Sequence, residues 1–99
     1  MNILLMLVLL AQMKATVTPV PDTSTHFVHV TWNEAVAGTT SILWGTTHTG
    51  PYQHIGCTST SKSCDVTKMT KGTYYFVAQE KAKNGQISPY SEEVTVVIP

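Results

Sequence analysis

The chain contains no arginine, and its six lysines are balanced by six acidic side chains, so the formal net charge at pH 7 is zero. A protein that neutralises nucleic-acid phosphates presents a basic face, and this composition supplies none. The same absence rules out an Arg-Gly-Asp adhesion sequence. Charged residues make up only 12%, too few for a self-repelling disordered tail. There is no Gly-rich phosphate loop, no Gly-x-Ser-x-Gly nucleophile elbow and no Asn-x-Ser/Thr acceptor. Cysteine occurs twice, too seldom for a four-thiolate zinc centre, and the spacing fits no finger pattern. Ninety-nine residues leave room for one domain. That size disfavours an enzyme with its own substrate cleft, and we expect no catalysis and no cofactor.

Long hydrophobic runs are also scarce. The one present, Ile3 to Ala11, has nine unbroken apolar residues, under half of the roughly 20 that span a bilayer. It matches the apolar region of a secretory signal, with small residues at Ala11 and Ala15 as cleavage points. No lysine precedes it, and Leu9 or Met13 occupies the place where an Ala-x-Ala needs its first alanine. Residues 1–15 are therefore expected to be a signal peptide. A retained hydrophobic anchor or a first strand are the alternatives. Residues 16–99 are expected to form one domain.

What is abundant is threonine. All 16 threonines lie beyond Ala15, mostly beside Val, Ile, Tyr or Trp, where they suit a pleated sheet better than a helix. Turn residues recur at short intervals: Pro19 to Asp22, Asn33 to Gly38, Gly45 to Pro51, Lys71-Gly72, Asn84-Gly85 and Pro89. Side-chain alternation puts Val28, Val30 and Trp32 on one inward face. A second is Tyr74, Phe76, Ala78 and Ala82, interrupted by Glu80, with Tyr75, Val77 and Gln79 facing out. The last strand offers Val94, Val96 and Ile98. Asn84-Gly85 suits a type I′ turn, whose two central residues need positive φ.

Read in order, these segments resemble a fibronectin type III domain. Val28 to Trp32 resembles the second strand with its buried tryptophan. Ile42 to Ile55, with Gly50-Pro51-Tyr52, resembles the third strand and the turn after it. Met69 to Phe76 resembles the family's Leu, Gly-Thr and tyrosine corner, and Asn84 to Val94 resembles the last loop and strand. The corner falls at Tyr74 by alternation, with Tyr75 the competing choice. Thr40 or Ser41 stands where a core tyrosine is usual, and Trp44 is a candidate to fill the missing volume. Met69 replaces leucine, a volume-similar exchange. The resemblance implies an all-β, seven-stranded antiparallel Greek-key sandwich preceded by the short hydrophobic segment, with Trp32, Tyr74 and Phe76 as core signature.

Cys57 and Cys64 flank a hairpin-sized loop and read as one disulfide in an exported chain, or as free thiols in a reducing compartment. His26 and His29 project to opposite faces of a strand and cannot share a metal. His48 and His54 can approach each other, but lack a nearby carboxylate. Glu92 and Glu93 face opposite ways and form no acid–base pair. What remains is surface: the loops Asn33 to Thr39, Gly45 to Tyr52 and Asn84 to Tyr90, with Tyr52, Asn84, Gln86 and Tyr90 as candidate binding residues. The resemblance implies a non-catalytic binding or adhesion module, secreted or displayed on a cell or particle surface, that recognises protein or carbohydrate. A free-standing single module resembles a phage or bacterial product. The alternative is a structural virion or envelope component that keeps its hydrophobic segment, with residues 3–11 its only membrane contact.

Overall fold

Apolar and β-branched side chains at every second position pack on a pleated surface, and the chain folds accordingly. The computed structural model describes residues 13–21, 23–32 and 38–99. Within them lie seven strands and no helix: β1 (Lys14–Pro19), β2 (His26–Thr31), β3 (Gly38–Gly45), β4 (His54–Ser59), β5 (Ser63–Met69), β6 (Gly72–Ala82) and β7 (Val94–Ile98). The apolar run Ile3 to Ala11 and residues 33–37 of the β2–β3 connection lie outside the described residues. Every strand pairing is antiparallel. One sheet has the order β1-β2-β5 and the other β4-β3-β6-β7.

The core fills the space between the inner faces of the two sheets. Val28 and Val30 of β2, Val66 and Met69 of β5, Ile42 of β3, Phe76 and Ala78 of β6, and Val96 and Ile98 of β7 all join it. Trp32, just past β2, is 3% exposed, and Phe76 is fully buried. Truncating a buried phenylalanine to alanine costs about 3–5 kcal/mol, comparable with the whole stability of a small domain. Tyr74 lies in the same core, and its hydroxyl donates to the Thr70 carbonyl at 2.8 Å, anchoring the β5–β6 corner. Tyr75 points the other way and packs against the His48 ring.

Four local expectations change. The folded body begins before residue 16: β1 starts at Lys14, Met13 is buried, and Ala15 packs against the core. Val77 alternates outward yet is only 1% exposed, because that face of β6 is not bare. Leu43 stands opposite Val77 in the register, and on the same face the His48 ring packs against Tyr75, two residues before Val77. Trp44 does not replace volume at Thr40, which is itself buried. The two are four residues apart on one strand, about 13 Å, and Trp44 instead packs edge-on against Tyr74. Finally, only Gly85 takes a positive φ at the Asn84-Gly85 turn. The Gly85 N–H donates to Ala82 O at 2.9 Å, so Lys83 and Asn84 form the turn and Gly85 the left-handed residue after it.

Cys57 and Cys64 are joined in a disulfide, S–S 2.00 Å. They do not close a hairpin. β4 and β5 are edge strands of different sheets, so the bond ties one sheet to the other. Gly56 makes this approach feasible. It is the extra residue where the β3–β4 register shifts, and a Cβ there would sit 2.7 Å from Val66 Cγ2 and 3.2 Å from Trp44 Cδ1.

Candidate functional site

The loop between β3 and β4 turns back sharply at Gly45, where a Cβ would lie 2.2 Å from the Pro51 carbonyl oxygen. A tight turn follows, closed by the Gly50 N–H on Thr47 O at 2.9 Å. Thr49 has φ 70°, an unusual conformation for a β-branched residue. Two bonds hold it there. Its N–H donates to Glu93 Oε1 at 2.7 Å, and its hydroxyl donates to His48 O at 2.5 Å. Backbone strain of this kind persists where surrounding contacts over-determine it.

Glu93 is the organising residue. It immediately precedes β7, and because Val94 pairs with Phe76 on the core side, Glu93 falls on the outer side of the sheet. Its carboxylate gathers the loop. Oε1 accepts from Thr49 N–H and from the Tyr52 hydroxyl at 2.6 Å, and Oε2 pairs with His48 Nδ1. The Glu93 side chain is only 14% exposed. Partial desolvation acts to raise its pKa, but the bonds from Tyr52, Thr49 and His48 outweigh it and hold the carboxyl below its ordinary value. Burial, the hydrogen bond to Glu93 and the negative charge there push the Tyr52 phenol up to about 12.

Tyr90 arrives from the other side. The segment before β7 runs back along β6, with Ser88 N–H on Glu80 O and Ser91 N–H on Ala78 O, both 2.9 Å. The serine hydroxyls in turn accept from Glu80 N–H and Ala78 N–H. This ladder places Tyr90 edge-on to Tyr52, with ring centroids 5.2 Å apart and an interplanar angle of 83°. Loop residues His48 to Tyr52, together with Tyr90 and Glu93, enclose an open pocket of about 450 Å³.

Of the four residues singled out by sequence, the structure brings Tyr52 and Tyr90 together. Asn84 and Gln86 do not line the pocket. They belong to the turn at the Ala82 end of β6, where Asn84 Oδ1 accepts the Gln86 N–H at 2.9 Å. His48, Thr49 and Glu93 went unrecognised as a unit. His48 and His54 do not pair: His48 finds the carboxylate it was expected to lack, in Glu93, and His54 stacks on Trp44 at 4.1 Å. His29 pairs across strands with Asp65, Nδ1 to Oδ1 2.6 Å. Among the described residues, no three His, Cys, Asp or Glu side chains gather as metal ligands, and no helix is long and apolar enough to cross a membrane. A second groove of about 470 Å³ runs between β4 and β5, beside Trp44, exposed Ile55 and Lys68.

No protein-family model matches the chain, and no curated protein matches it. Among solved structures, it is similar to pectate lyase PelI from Erwinia chrysanthemi, solved in complex with tetragalacturonic acid. The TM-score is 0.53 at 12% identity, over 87% of this chain and 28% of that one. The chain thus spans less than a third of the enzyme's length. Likeness at this identity concerns the fold alone, since one fold hosts many functions.

Proposed function

We propose that the chain is a fibronectin type III-like module that binds a partner and catalyses nothing. It is displayed outside the cell or on a particle surface and recognises protein or carbohydrate through the loop end around Tyr52 and Tyr90. Several observations support the family reading. The chain returns after β4 and β5 to lay β6 beside β3, the long-range return of a Greek key. The bond from the Tyr74 hydroxyl to Thr70 O has the form of a tyrosine corner. Trp32 and Phe76 occupy the core between the sheets. The observation that carries the binding reading is the pocket itself. Glu93 locks the loop so that two tyrosines already stand at right angles before any ligand arrives, and preformed aromatic sites bind without a large ordering cost.

An array of immobilised oligosaccharides, tetragalacturonic acid among them, and of peptides tests this reading with the full chain. Saturable binding to at least one class, reduced roughly tenfold by Tyr90→Ala, is the expected result. Equal binding by wild type and variant, or no binding to either class, would overturn it.

A second reading is a structural virion or envelope component, and the position of Met13 favours it. That residue is buried in the core and β1 starts directly after it, and in the sequence only Gln12 separates it from the apolar run. Intact-mass measurement separates the two: loss of about eleven to fifteen residues supports export, and the full-length chain supports assembly.

A further inference from the structure

We propose that the pocket between Tyr52, Tyr90 and Glu93 takes an organic ammonium group, either the end of a lysine side chain or a quaternary amine. The inference rests on the binding reading above and names the chemistry of that same site. Charge comes first. Glu93 is an ionised carboxylate in a recess that no lysine lines. Its basic neighbour is the imidazole of His48, which pairs with Glu93 Oε2 from a side chain 72% exposed to water.

Ring geometry comes second. Tyr52 and Tyr90 meet at 83° and form two walls of a corner, with Pro51 and Gly50 beside them. Aromatic faces carry negative potential and attract a cation within about 6 Å of the ring centroid, best of all in cages of several rings. Tyr90 is 49% exposed, which leaves ring surface for a ligand.

The hydrogen-bond inventory decides between ligand classes. Glu93 Oε1 already accepts two bonds, the Tyr52 hydroxyl spends its proton on it, and the Thr49 hydroxyl donates to His48 O. A sugar ring needs several uncommitted donors and acceptors to replace its water, and most polar groups of the pocket are occupied. An alkylammonium needs negative potential and ring faces. A quaternary one needs no hydrogen bond at all.

The test is an amide and tyrosine-ring NMR titration of the full chain with tetramethylammonium chloride, n-butylammonium chloride, the neutral choline isostere 3,3-dimethylbutan-1-ol, and tetragalacturonate. Ammonium ions are expected to shift Thr49, Gly50 and Tyr90, and the neutral alcohol to bind roughly tenfold more weakly. Whichever cation binds tighter identifies a lysine end or a quaternary amine as the source. Tyr90→Leu, which leaves the Glu93 contacts in place, should lose roughly tenfold in affinity. His48→Ala, which removes a competing basic group, should tighten binding. Equal binding of the alcohol, weaker binding by His48→Ala, or silence towards both cations overturns the ammonium assignment. If tetragalacturonate alone shifts these residues, the binding reading survives without it. If nothing that binds on the array maps to Tyr52 and Tyr90, both fall.

Discussion

The Tyr52 hydroxyl reaches Glu93 at 2.6 Å across 41 residues of sequence, and this bond joins the loop after β3 to the start of β7. Its consequence is electrostatic as well as structural, because a phenol that donates to a carboxylate resists losing its proton. One of the four tyrosines should titrate at about 12, and Glu93→Gln should bring it down. The return towards 10.0 will be partial, since burial is the largest cause of the shift and persists in the variant. Because the folded value is raised, Tyr52 favours the native state fully below 10.0, and that contribution is lost as pH rises through about 12. Tyrosine-ring NMR across alkaline pH checks the assignment.

At the acid end the sign reverses. The Glu93 carboxyl is held below its ordinary 4.5, so the folded state takes up that proton less readily than the unfolded chain does. Its contribution to stability is whole above 4.5 and is lost as pH falls through the lowered folded value. Wild-type melting temperatures should therefore drop more steeply than those of Glu93→Gln as pH falls below 4.5. The gap between the two proteins should close on acidification. Parallel curves would show that the loop does not depend on the ionised carboxylate.

Gly56 faces Val66 across the gap between the sheets' edge strands. Adding a methyl group there places carbon 2.7 Å from a valine methyl, and overpacking of this kind costs about 1–3 kcal/mol. Gly56→Ala should lower the urea midpoint by a corresponding amount. Val66→Ala in the same chain should recover part of the loss, so the double variant will be more stable than the sum of the single effects. Strictly additive losses would place the clash elsewhere.

The disulfide closes a loop with a sequence separation of 7. Cys57→Ser with Cys64→Ser should cost about 2–3 kcal/mol by loss of loop-closure entropy. The β2–β5 and β3–β4 pairings do not run through this bond, so the variant should keep its sheet. Far-UV circular dichroism and denaturant titration measure both expectations together. A variant unfolded without denaturant would mean that the bond, and not the core, holds the sheets together.

The core was legible in the sequence because its information is local. Alternation alone aligned Val28 with Val30, Tyr74 with Phe76, and Val94 with Val96. Trp32, Tyr74 and Phe76 do lie between the sheets. The site was legible only in part. Tyr52 and Tyr90 stood out as amphipathic loop residues, whereas Glu93 looked like one of two adjacent carboxylates on a strand. Its role depends on contacts with residues 41, 44 and 45 positions away, and no short-range pattern encodes a pairing that distant. Asn84 and Gln86 stand apart from that pocket: an Asn-Gly pair signals a turn, and at this one the Asn84 side chain accepts the Gln86 backbone N–H. Val77 shows the limit of alternation itself: a period of two assigns a face, but not whether that face is covered.

The most direct measurement of the account is the ring-to-ring NOE pattern of the free protein. A preformed pocket predicts cross-peaks between the Tyr52 and Tyr90 ring protons, as centroids 5.2 Å apart and edge-on require. Those cross-peaks should weaken when Glu93→Gln releases the loop. Sharp, unshifted Tyr90 resonances with no contact to Tyr52 would contradict the claim that this site is built before its ligand arrives.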